Sequence, residues 1–259
     1  MKKFLIIPKI SELKTSLELA REYGLGFEFN DFFMPSVLDD NAVQEKIIGE
    51  YKAAGLPGYC TLHGAFFDVI PFSPDEKIRA IGDMRIRQSI TAARNIGARA
   101  VVFHTNYNPF LSTPAYIKGW LEQNASYWNG ILSEYSDMNI YLENMFDSAP
   151  DIMAELSERL CVHKNFGICF DYAHAALTAV SQREWTEKLG KYVRHIHIND
   201  NDLKSDLHLA VGDGMIDWSE FYGLYDDYMD KATILIETSP IENQRRSIER
   251  LISDGFMIK

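Results

Sequence analysis

Residues 139–171, NIYLENMFDSAPDIMAELSERLCVHKNFGICFD, contain the pattern that decides the fold. A short apolar run (139–143) is followed by a helical stretch and then by a second apolar run (167–171). Short, near-continuous apolar runs bounded by Gly, Asn or Asp are typical of parallel strands that are buried on both faces. The segment therefore predicts a strand, a helix and a second strand, which is the repeating unit of a parallel α/β fold.

The same unit recurs about eight times along the chain. The strand-like runs are Phe4–Ile7, Gly26–Asn30, Gly58–His63, Ala100–His104, Asn139–Glu143, Gly167–Asp171, Val193–Asn199 and Thr233–Glu237. Helical stretches lie between them, and clear examples are residues 11–24, 73–97, 113–135 and 240–255. Ser73 is the expected N-cap of its helix, and Gly97 and Gly255 stand where helices should end.

Eight strand–helix units in about 250 residues predict a (β/α)₈ TIM barrel, an α/β fold. The alternative is a doubly wound open sheet, which usually has a Gly-rich phosphate turn after its first strand. Residues 8–13, PKISEL, contain no glycine. The sequence also shows no linker and no low-complexity tract, so we expect a single domain over residues 1–259.

The composition is that of an ordinary globular protein. Of the 259 residues 46% are hydrophobic, and the 15 Phe, 13 Tyr and 4 Trp argue against disorder. No run of roughly 18 apolar residues occurs, so we expect no membrane span. The start, MKKFLIIPKI, lacks the long apolar stretch of a signal peptide because Pro8 and Lys9 interrupt it, which predicts a cytoplasmic protein. Three cysteines without CxxC spacing argue against a disulfide framework and against a thiolate zinc site.

The formal net charge is −11, from 26 Lys and Arg against 37 Asp and Glu. This balance opposes attraction to phosphate backbones and argues against a nucleic-acid partner. A cluster of metal cations can nevertheless reverse the field locally. The sequence leaves open whether the chain forms a homo-oligomer.

Side chains that can bind metals gather at the C-terminal ends of the predicted strands. They are His63, His104, Glu143, Asp171, His174, His197, Asp206, His208 and Glu237. In a parallel barrel these strand ends meet at one face. Buried carboxylates there need a positive partner, and no Lys or Arg closely follows Glu143 or Asp171. Nitrogen and carboxylate ligands in one place suit a borderline divalent cation, so we predict a metal site at this face.

Two other residues near these ligands have different predicted roles. Glu28 is either a partner that supports the metal ligands or an ordinary ion-pair residue, and the sequence leaves both alternatives open. His195 and His197 are two residues apart and share a strand face. His195 should then lie one layer deeper, where we expect a hydrogen-bonded core histidine.

Three motifs resemble those of the xylose isomerase-like TIM-barrel superfamily. They are FDYAHAAL (170–177), HIHINDND (195–202) and DLHLAVGDGMIDWSEF (206–221), and the strand-end glutamates accompany them. The superfamily contains sugar isomerases and epimerases and also the family-2 apurinic/apyrimidinic endonucleases, such as endonuclease IV. The resemblance extends from about Leu5 to Glu237.

The resemblance implies a divalent metal cofactor, Zn²⁺ or Mn²⁺ with Mg²⁺ or Co²⁺ as alternatives. In the epimerase branch one cation is held by the residues that match Glu143, Asp171, His197 and Glu237. The two glutamates there double as acid and base, and the residue that matches His174 contacts the substrate. In the endonuclease IV branch three zinc ions use further residues, whose matches are His63, His104, His174, Asp206 and His208. The resemblance thus implies one to three ions.

Two loops favour the sugar enzymes. The endonuclease branch usually has a Gly-rich loop after the fifth strand, whereas this chain has NMFDSAPD (144–151). VGDGMIDW (211–218) resembles a pattern common among sugar isomerases and epimerases. We therefore expect an isomerase or epimerase of a small-molecule sugar, sugar phosphate or polyol. The alternative is an endonuclease IV-like, zinc-dependent phosphodiester hydrolase (AP endonuclease) with a multinuclear site.

In the favoured hypothesis Glu143 and Glu237 move a proton through a metal-stabilised enediolate. His174 and His63 would hydrogen-bond the substrate oxygens, and the expected apolar wall consists of Phe66, Phe67 and Trp218. A third hypothesis is a barrel that binds a metal or a sugar without turnover. It is disfavoured because none of the four central residues of the epimerase branch is missing.

Overall fold

A computed structural model of the chain describes residues 2–66 and 69–258. It contains eight strands: Phe4–Ile6 (β1), Gly26–Phe29 (β2), Cys60–His63 (β3), Ala100–His104 (β4), Asn139–Glu143 (β5), Phe166–Asp171 (β6), Val193–Ile198 (β7) and Thr233–Ile236 (β8). Neighbouring strands pair in parallel in chain order, and β8 pairs with β1 to close the barrel. The predicted single-domain (β/α)₈ barrel is therefore confirmed for the described residues, while the exact domain bounds 1–259 stay a prediction.

Helices surround the strands on the outside of the barrel. They are Leu13–Tyr23 (α1), Pro35–Leu38 (α2), Asn41–Ala54 (α3), Glu76–Ile96 (α4), Pro114–Glu134 (α5), Asp151–Leu160 (α6), Tyr172–Ala176 (α7), Gln182–Leu189 (α8), Trp218–Tyr228 (α9) and Ile241–Ser253 (α10). Short 3₁₀ turns span Ile10–Glu12 and Gly190–Tyr192. No helix among the described residues has both the length and the apolar character needed to cross a membrane.

The predicted start of α4 was wrong by two residues. Asp75, not Ser73, caps the helix, because its carboxylate accepts a hydrogen bond from the Lys77 amide at 2.8 Å. The Ser73 hydroxyl instead accepts from the Asp75 amide at 3.2 Å and shapes the turn before the helix. The predicted end is confirmed, since Gly97 has the left-handed φ of 89° that a C-terminal glycine permits.

Side chains of the strands pack in two separate cores, one between the barrel and the helices and one inside the barrel. On β6, Ile168 and Phe170 belong to the large apolar core that lies between the barrel and the helices. Cys169 belongs to a small cluster with Ala100, Val102 and Tyr141. Because side chains alternate along a strand, Asp171 shares the side of Cys169 and lies inside the barrel. Polar residues at the strand ends are thereby directed into the mouth.

Candidate metal centre

Four neighbouring strands bring the central predicted residues together at the C-terminal mouth of the barrel. Glu143 ends β5, Asp171 ends β6, His197 is the last residue but one of β7, and Glu237 directly follows β8. The register places Asp171 beside His197. All four are buried, with at most 8% of any residue exposed.

The distances among these side chains suit a cation better than they suit hydrogen bonds. Nδ1 of His197 lies 3.5 Å from Oε1 of Glu143 and 3.4 Å from Oε2 of Glu237. Asp171, Glu143 and His197 offer ligand atoms within 4.8 Å of one another. Ligand atoms bound at about 2.1 Å to a tetrahedral zinc ion lie about 3.4 Å from each other. The side chains are therefore spaced as ligands around one ion would be.

Several buried polar atoms at this place have no hydrogen-bond partner. They are Oε2 of Glu143, Oδ2 of Asp171, Nδ1 of His197 and Oε2 of Glu237. Leaving such atoms unpaired costs roughly 1–3 kcal/mol each, more for charged groups. A divalent cation would satisfy them together, so the residues present fit a metal ion.

A second group of ligands lies beside the first and shares Glu143. Oε2 of Glu143 is 3.3 Å from Nε2 of His63 and 3.7 Å from Nε2 of His104. Nδ1 of His63 lies 3.0 Å from the Gly64 carbonyl oxygen, which can only accept a hydrogen bond. Nε2 of a neutral His63 is therefore left free to bind a metal. Burial lowers the pKa of His104 to about 4, so His104 is neutral at physiological pH.

A third group lies at the outer rim of the mouth. Oδ2 of Asp206 is 3.4 Å from Nε2 of His174 and 3.1 Å from Nε2 of His208. Nδ1 of His174 lies 2.9 Å from the Asn144 carbonyl oxygen, and Nδ1 of His208 lies 3.0 Å from that of Glu237. Without a cation, the hydrogen bond to Asp206 outweighs burial and raises the pKa of His208 to about 10.

The surroundings shift the pKa values of two central carboxylates in opposite directions. Although burial raises it, the charge of His197 and hydrogen bonds from His197 and His63 hold the pKa of Glu143 well below its ordinary value. Burial raises the pKa of Asp171 to about 7, because its neighbours compensate the lost hydration less well. Glu143 is thus ionised at neutral pH, whereas Asp171 carries a full charge only when a cation offsets its burial.

Asn144 is a positioning residue that the sequence analysis missed. Its side-chain amide donates to the carbonyl of Asp171 at 2.9 Å and accepts from the Asp171 backbone amide at 2.9 Å. These two bonds join the ends of β5 and β6 and fix the main chain of Asp171. An asparagine directly after a strand-end carboxylate was the only available signal, and such asparagines are common in ordinary turns.

The mouth encloses a cavity of about 280 Å³. Its walls include Phe66 and Met145, and its floor includes Glu143, His174 and Glu237. Binding sites for small molecules usually measure roughly 300–1,000 Å³, so this cavity suits a small ligand.

The expected apolar wall is correct for one of its three residues. Phe66 lines the cavity, and Phe67 lies outside the described residues. Trp218 does not line it, because its indole nitrogen donates to Oδ2 of Asp200 at 2.8 Å and holds the ring in the core. Asp200 also accepts from the Gly212 amide at 2.9 Å and organises the loop before α9.

A second polar layer lies beneath the ligands. His195 is fully buried, and its Nδ1 is 2.6 Å from the Thr233 hydroxyl, which confirms the predicted core histidine. Glu28 contacts both histidines of β7, with Nε2 of His195 and Nε2 of His197 each 3.0 Å from one of its carboxylate oxygens. Thr61 donates to Glu28 at 2.6 Å.

Comparison with known proteins agrees with the fold and the motifs. The family described as xylose isomerase-like TIM barrel matches residues 17–253. An uncharacterized protein of Methanocaldococcus jannaschii is 31% identical over 201 residues, which cover 73% of this chain and 68% of the relative. Fructoselysine 3-epimerase of Shigella flexneri is 29% identical over 172 residues, 61% of this chain and 58% of that enzyme. This chain therefore matches less than two thirds of the length of that enzyme.

The fold also matches solved structures over nearly its whole length. The crystal structure of a D-tagatose 3-epimerase-like protein superposes with a TM-score of 0.75 and 26% sequence identity. The match covers 97% of this chain and 96% of that protein. Sequence motifs, barrel topology and the family match agree, and this chain belongs to the xylose isomerase-like TIM-barrel family.

Proposed function

We propose that this protein is a divalent-metal-dependent isomerase or epimerase that acts on a sugar or a sugar derivative. One observation carries the proposal: carboxylate oxygens of Glu143 and Glu237 lie 3.5 and 3.4 Å from the same nitrogen of His197, beneath a small cavity. Two acidic groups around one small site are what transfer of a proton to and from carbon requires. The epimerases among the similar proteins support this reaction class.

Glu143, Asp171, His197 and Glu237 would hold the cation, with Zn²⁺ and Mn²⁺ as the best candidates for this nitrogen and oxygen ligand set. When bound, the ion supplies Lewis acidity that polarises a substrate carbonyl and acidifies the adjacent C–H. The ligand set contains three carboxylates and one neutral imidazole, so the ionised carboxylates offset a divalent ion and leave the site with one net negative charge.

The protein's own part in the reaction is proton transfer. Glu143 is buried and ionised, so it can accept a proton from the carbon next to the carbonyl. Return of a proton by Glu237 to the opposite face of that carbon inverts its configuration, which is epimerisation. Return to the neighbouring carbon moves the carbonyl instead, which is isomerisation. Both outcomes pass through the same enediolate.

Histidines and an aromatic side chain position the substrate. Nε2 of His174 is buried, faces the cavity and lacks a hydrogen-bond partner, so it can bond a substrate hydroxyl. His63 lines the same cavity, beside Glu143. The ring of Phe66 provides an apolar wall that keeps water away from the reacting carbon.

Proton exchange tests the proposal. The protein is loaded with Mn²⁺ and incubated in D₂O with a panel of ketoses and inososes, and NMR monitors the carbon next to the carbonyl. We expect deuterium at that carbon for at least one sugar. Glu237→Gln should slow the labelling by about 10²–10⁴-fold, whereas Glu242→Gln, on the exposed surface of α10, should leave it unchanged. Failure to label any sugar, with the cation bound, would reject the proposal.

The three neighbouring ligand groups favour a second candidate, a phosphodiester hydrolase with several zinc ions. These groups are Glu143, Asp171 and His197; His63, His104 and Glu143; and His174, Asp206 and His208. Two or three ions in such groups activate water and stabilise the leaving oxygen of a phosphoester. The net charge of −11 disfavours a DNA substrate.

Counting metals separates the two candidates. Elemental analysis of protein loaded with zinc gives the number of ions per chain, and a duplex that contains one abasic site serves as the substrate for cleavage. Three zinc ions together with cleavage, and no deuterium exchange with sugars, would replace the isomerase proposal by the hydrolase. One ion and exchange without cleavage would eliminate the hydrolase.

A further inference from the structure

His197 is oriented differently from three other histidines at the mouth. Nδ1 of His63, His174 and His208 lies 3.0, 2.9 and 3.0 Å from a backbone carbonyl oxygen, so each ring directs Nε2 toward a carboxylate. His197 is reversed: its Nδ1 faces Glu143 and Glu237, and its Nε2 faces away from the cavity. The ring nitrogen of His197 that faces away from the ligands therefore contacts a side chain, whereas in the other three histidines that nitrogen contacts a backbone carbonyl.

That side chain is Glu28 on β2, a strand that carries none of the nine predicted ligands. Its Oε1 lies 3.0 Å from Nε2 of His197, and its Oε2 lies 3.0 Å from Nε2 of His195. Glu28 is fully buried, and among residues 2–66 and 69–258 no Lys or Arg forms an ion pair with it. The two imidazoles and the Thr61 hydroxyl are its polar partners.

The chemistry of a carboxylate determines where the imidazole protons lie. An ionised carboxylate only accepts hydrogen bonds, so a nitrogen lone pair at 3.0 Å would be repelled. Nε2 of each ring must therefore carry a hydrogen. Apart from this contact with Glu28, Nε2 of each ring has no hydrogen-bond partner among the described residues. Thr233 completes the arrangement, because its hydroxyl can donate to Nδ1 of His195 at 2.6 Å.

We propose that Glu28 is a positioning residue that keeps a proton on Nε2 of His197 and thereby directs the Nδ1 lone pair at the cation. Without this partner the ring could bind through either nitrogen or turn away from Glu143 and Glu237. Such supporting partners typically contribute about 10–100-fold to metal affinity. The inference rests on the cation of the proposed function but not on the reaction.

The first test is the affinity of the protein for Zn²⁺ and Mn²⁺, measured by titration calorimetry. Glu28→Gln keeps the shape, but its amide group offers one acceptor oxygen and a donor that opposes Nε2–H. We expect the Kd to rise about 10–100-fold, measured at a temperature at which both metal-free proteins are folded. The matched control is Asp147→Asn, which changes a buried carboxylate bonded to Thr105 at 2.6 Å and should leave the Kd within threefold.

The second test is NMR of the zinc-loaded protein with ¹⁵N-labelled histidine. We expect the Nε2–H signal of His197 to be present and protected from solvent exchange, and to shift or exchange faster in Glu28→Gln. An unchanged Kd in a folded Glu28→Gln variant, or zinc on Nε2 of His197, would overturn the inference. A raised Kd without sugar exchange would instead reject the proposed reaction and leave the role of Glu28 intact.

Discussion

The barrel interior contains two polar layers that differ in spacing, and on β3 and β7 their members are two residues apart. In the deeper layer, the contacts of Glu28 with Thr61 and His195 and of His195 with Thr233 measure 2.6–3.0 Å. In the upper layer, the contacts that Glu143 makes with histidines measure 3.3–3.7 Å. The first range is that of hydrogen bonds, and the second is that of ligands around a common ion.

The difference follows from the residue types rather than from burial, since the residues of both layers are buried. The deeper layer includes two threonine hydroxyls, which can donate to Glu28 and to His195. The upper layer consists of carboxylates and imidazoles, and its carboxylates cannot donate to one another. Hydroxyl groups therefore satisfy Oε2 of Glu28 and Nδ1 of His195, whereas the upper layer has no hydroxyl donor and its unpaired atoms fit the proposed cation.

The largest expected effect is on sugar turnover, and it is measured by comparing two substitutions at different depths of β5. Glu143→Gln removes a charge from the upper layer and should reduce sugar turnover by about 10²–10⁴-fold. Tyr141→Phe, two residues deeper on β5, removes one hydroxyl at a cost of about 1 kcal/mol in the free energy of unfolding. Its turnover should stay close to that of the wild type. Steady-state kinetics and thermal melts of both variants make the comparison, and equal losses of turnover would remove the functional distinction between the layers.

Addition of the cation should stabilise the folded protein. A ligand at about 100 times its Kd stabilises by about 2.7 kcal/mol, which raises the melting temperature by about 5–10 °C in a protein of this size. Differential scanning calorimetry with and without Zn²⁺ or Mn²⁺ measures the shift. Glu143→Gln should reduce it. A melting temperature that none of Zn²⁺, Mn²⁺, Mg²⁺ and Co²⁺ changes would contradict the spacing argument.

The third effect has a sign that depends on the metal and on pH. Because burial raises the pKa of Asp171 to about 7 without a cation, its ionisation destabilises the fold progressively from about pH 4 to pH 7. Metal-free Asp171→Asn should therefore melt above the wild type at pH 8 and equal to it at pH 4. With saturating cation the order should reverse, since a charged ligand is lost.

Melts at both pH values, with and without cation, test this crossover. The substitution keeps an oxygen for the bond that Asp171 accepts from the His174 amide at 2.7 Å, so loss of that cap is not a complication. A metal-free variant that is less stable than the wild type at pH 8 would show that Asp171 is already neutralised by its neighbours.

The sequence predicted the barrel well because parallel strands buried on both faces have a strong pattern. β4 (Ala100–His104) and β5 (Asn139–Glu143) match their predicted bounds, and the other strands differ by one or two residues at an end. The predicted strand-end residues meet at one mouth because all eight strands run in the same direction. This part of the site follows from topology alone.

The sequence could not predict the partners within the mouth. Glu28 and His197 are 169 positions apart, and their contact depends on the register of β2 and β7, two strands that do not pair with each other. Local pattern likewise gave no indication that Asp200 would draw the Trp218 indole into the core. Which imidazole nitrogen faces the cavity also depends on distant partners, so ring orientation lies beyond any motif.

One diffraction measurement tests the central claim most directly. A crystal of the protein soaked in ZnCl₂ is measured on both sides of the zinc absorption edge, and the anomalous difference map is inspected at the mouth. We predict a peak within bonding distance of Glu143, Asp171, His197 and Glu237. A mouth without a peak, in which those four side chains have closed onto one another at hydrogen-bond distance, would contradict the account.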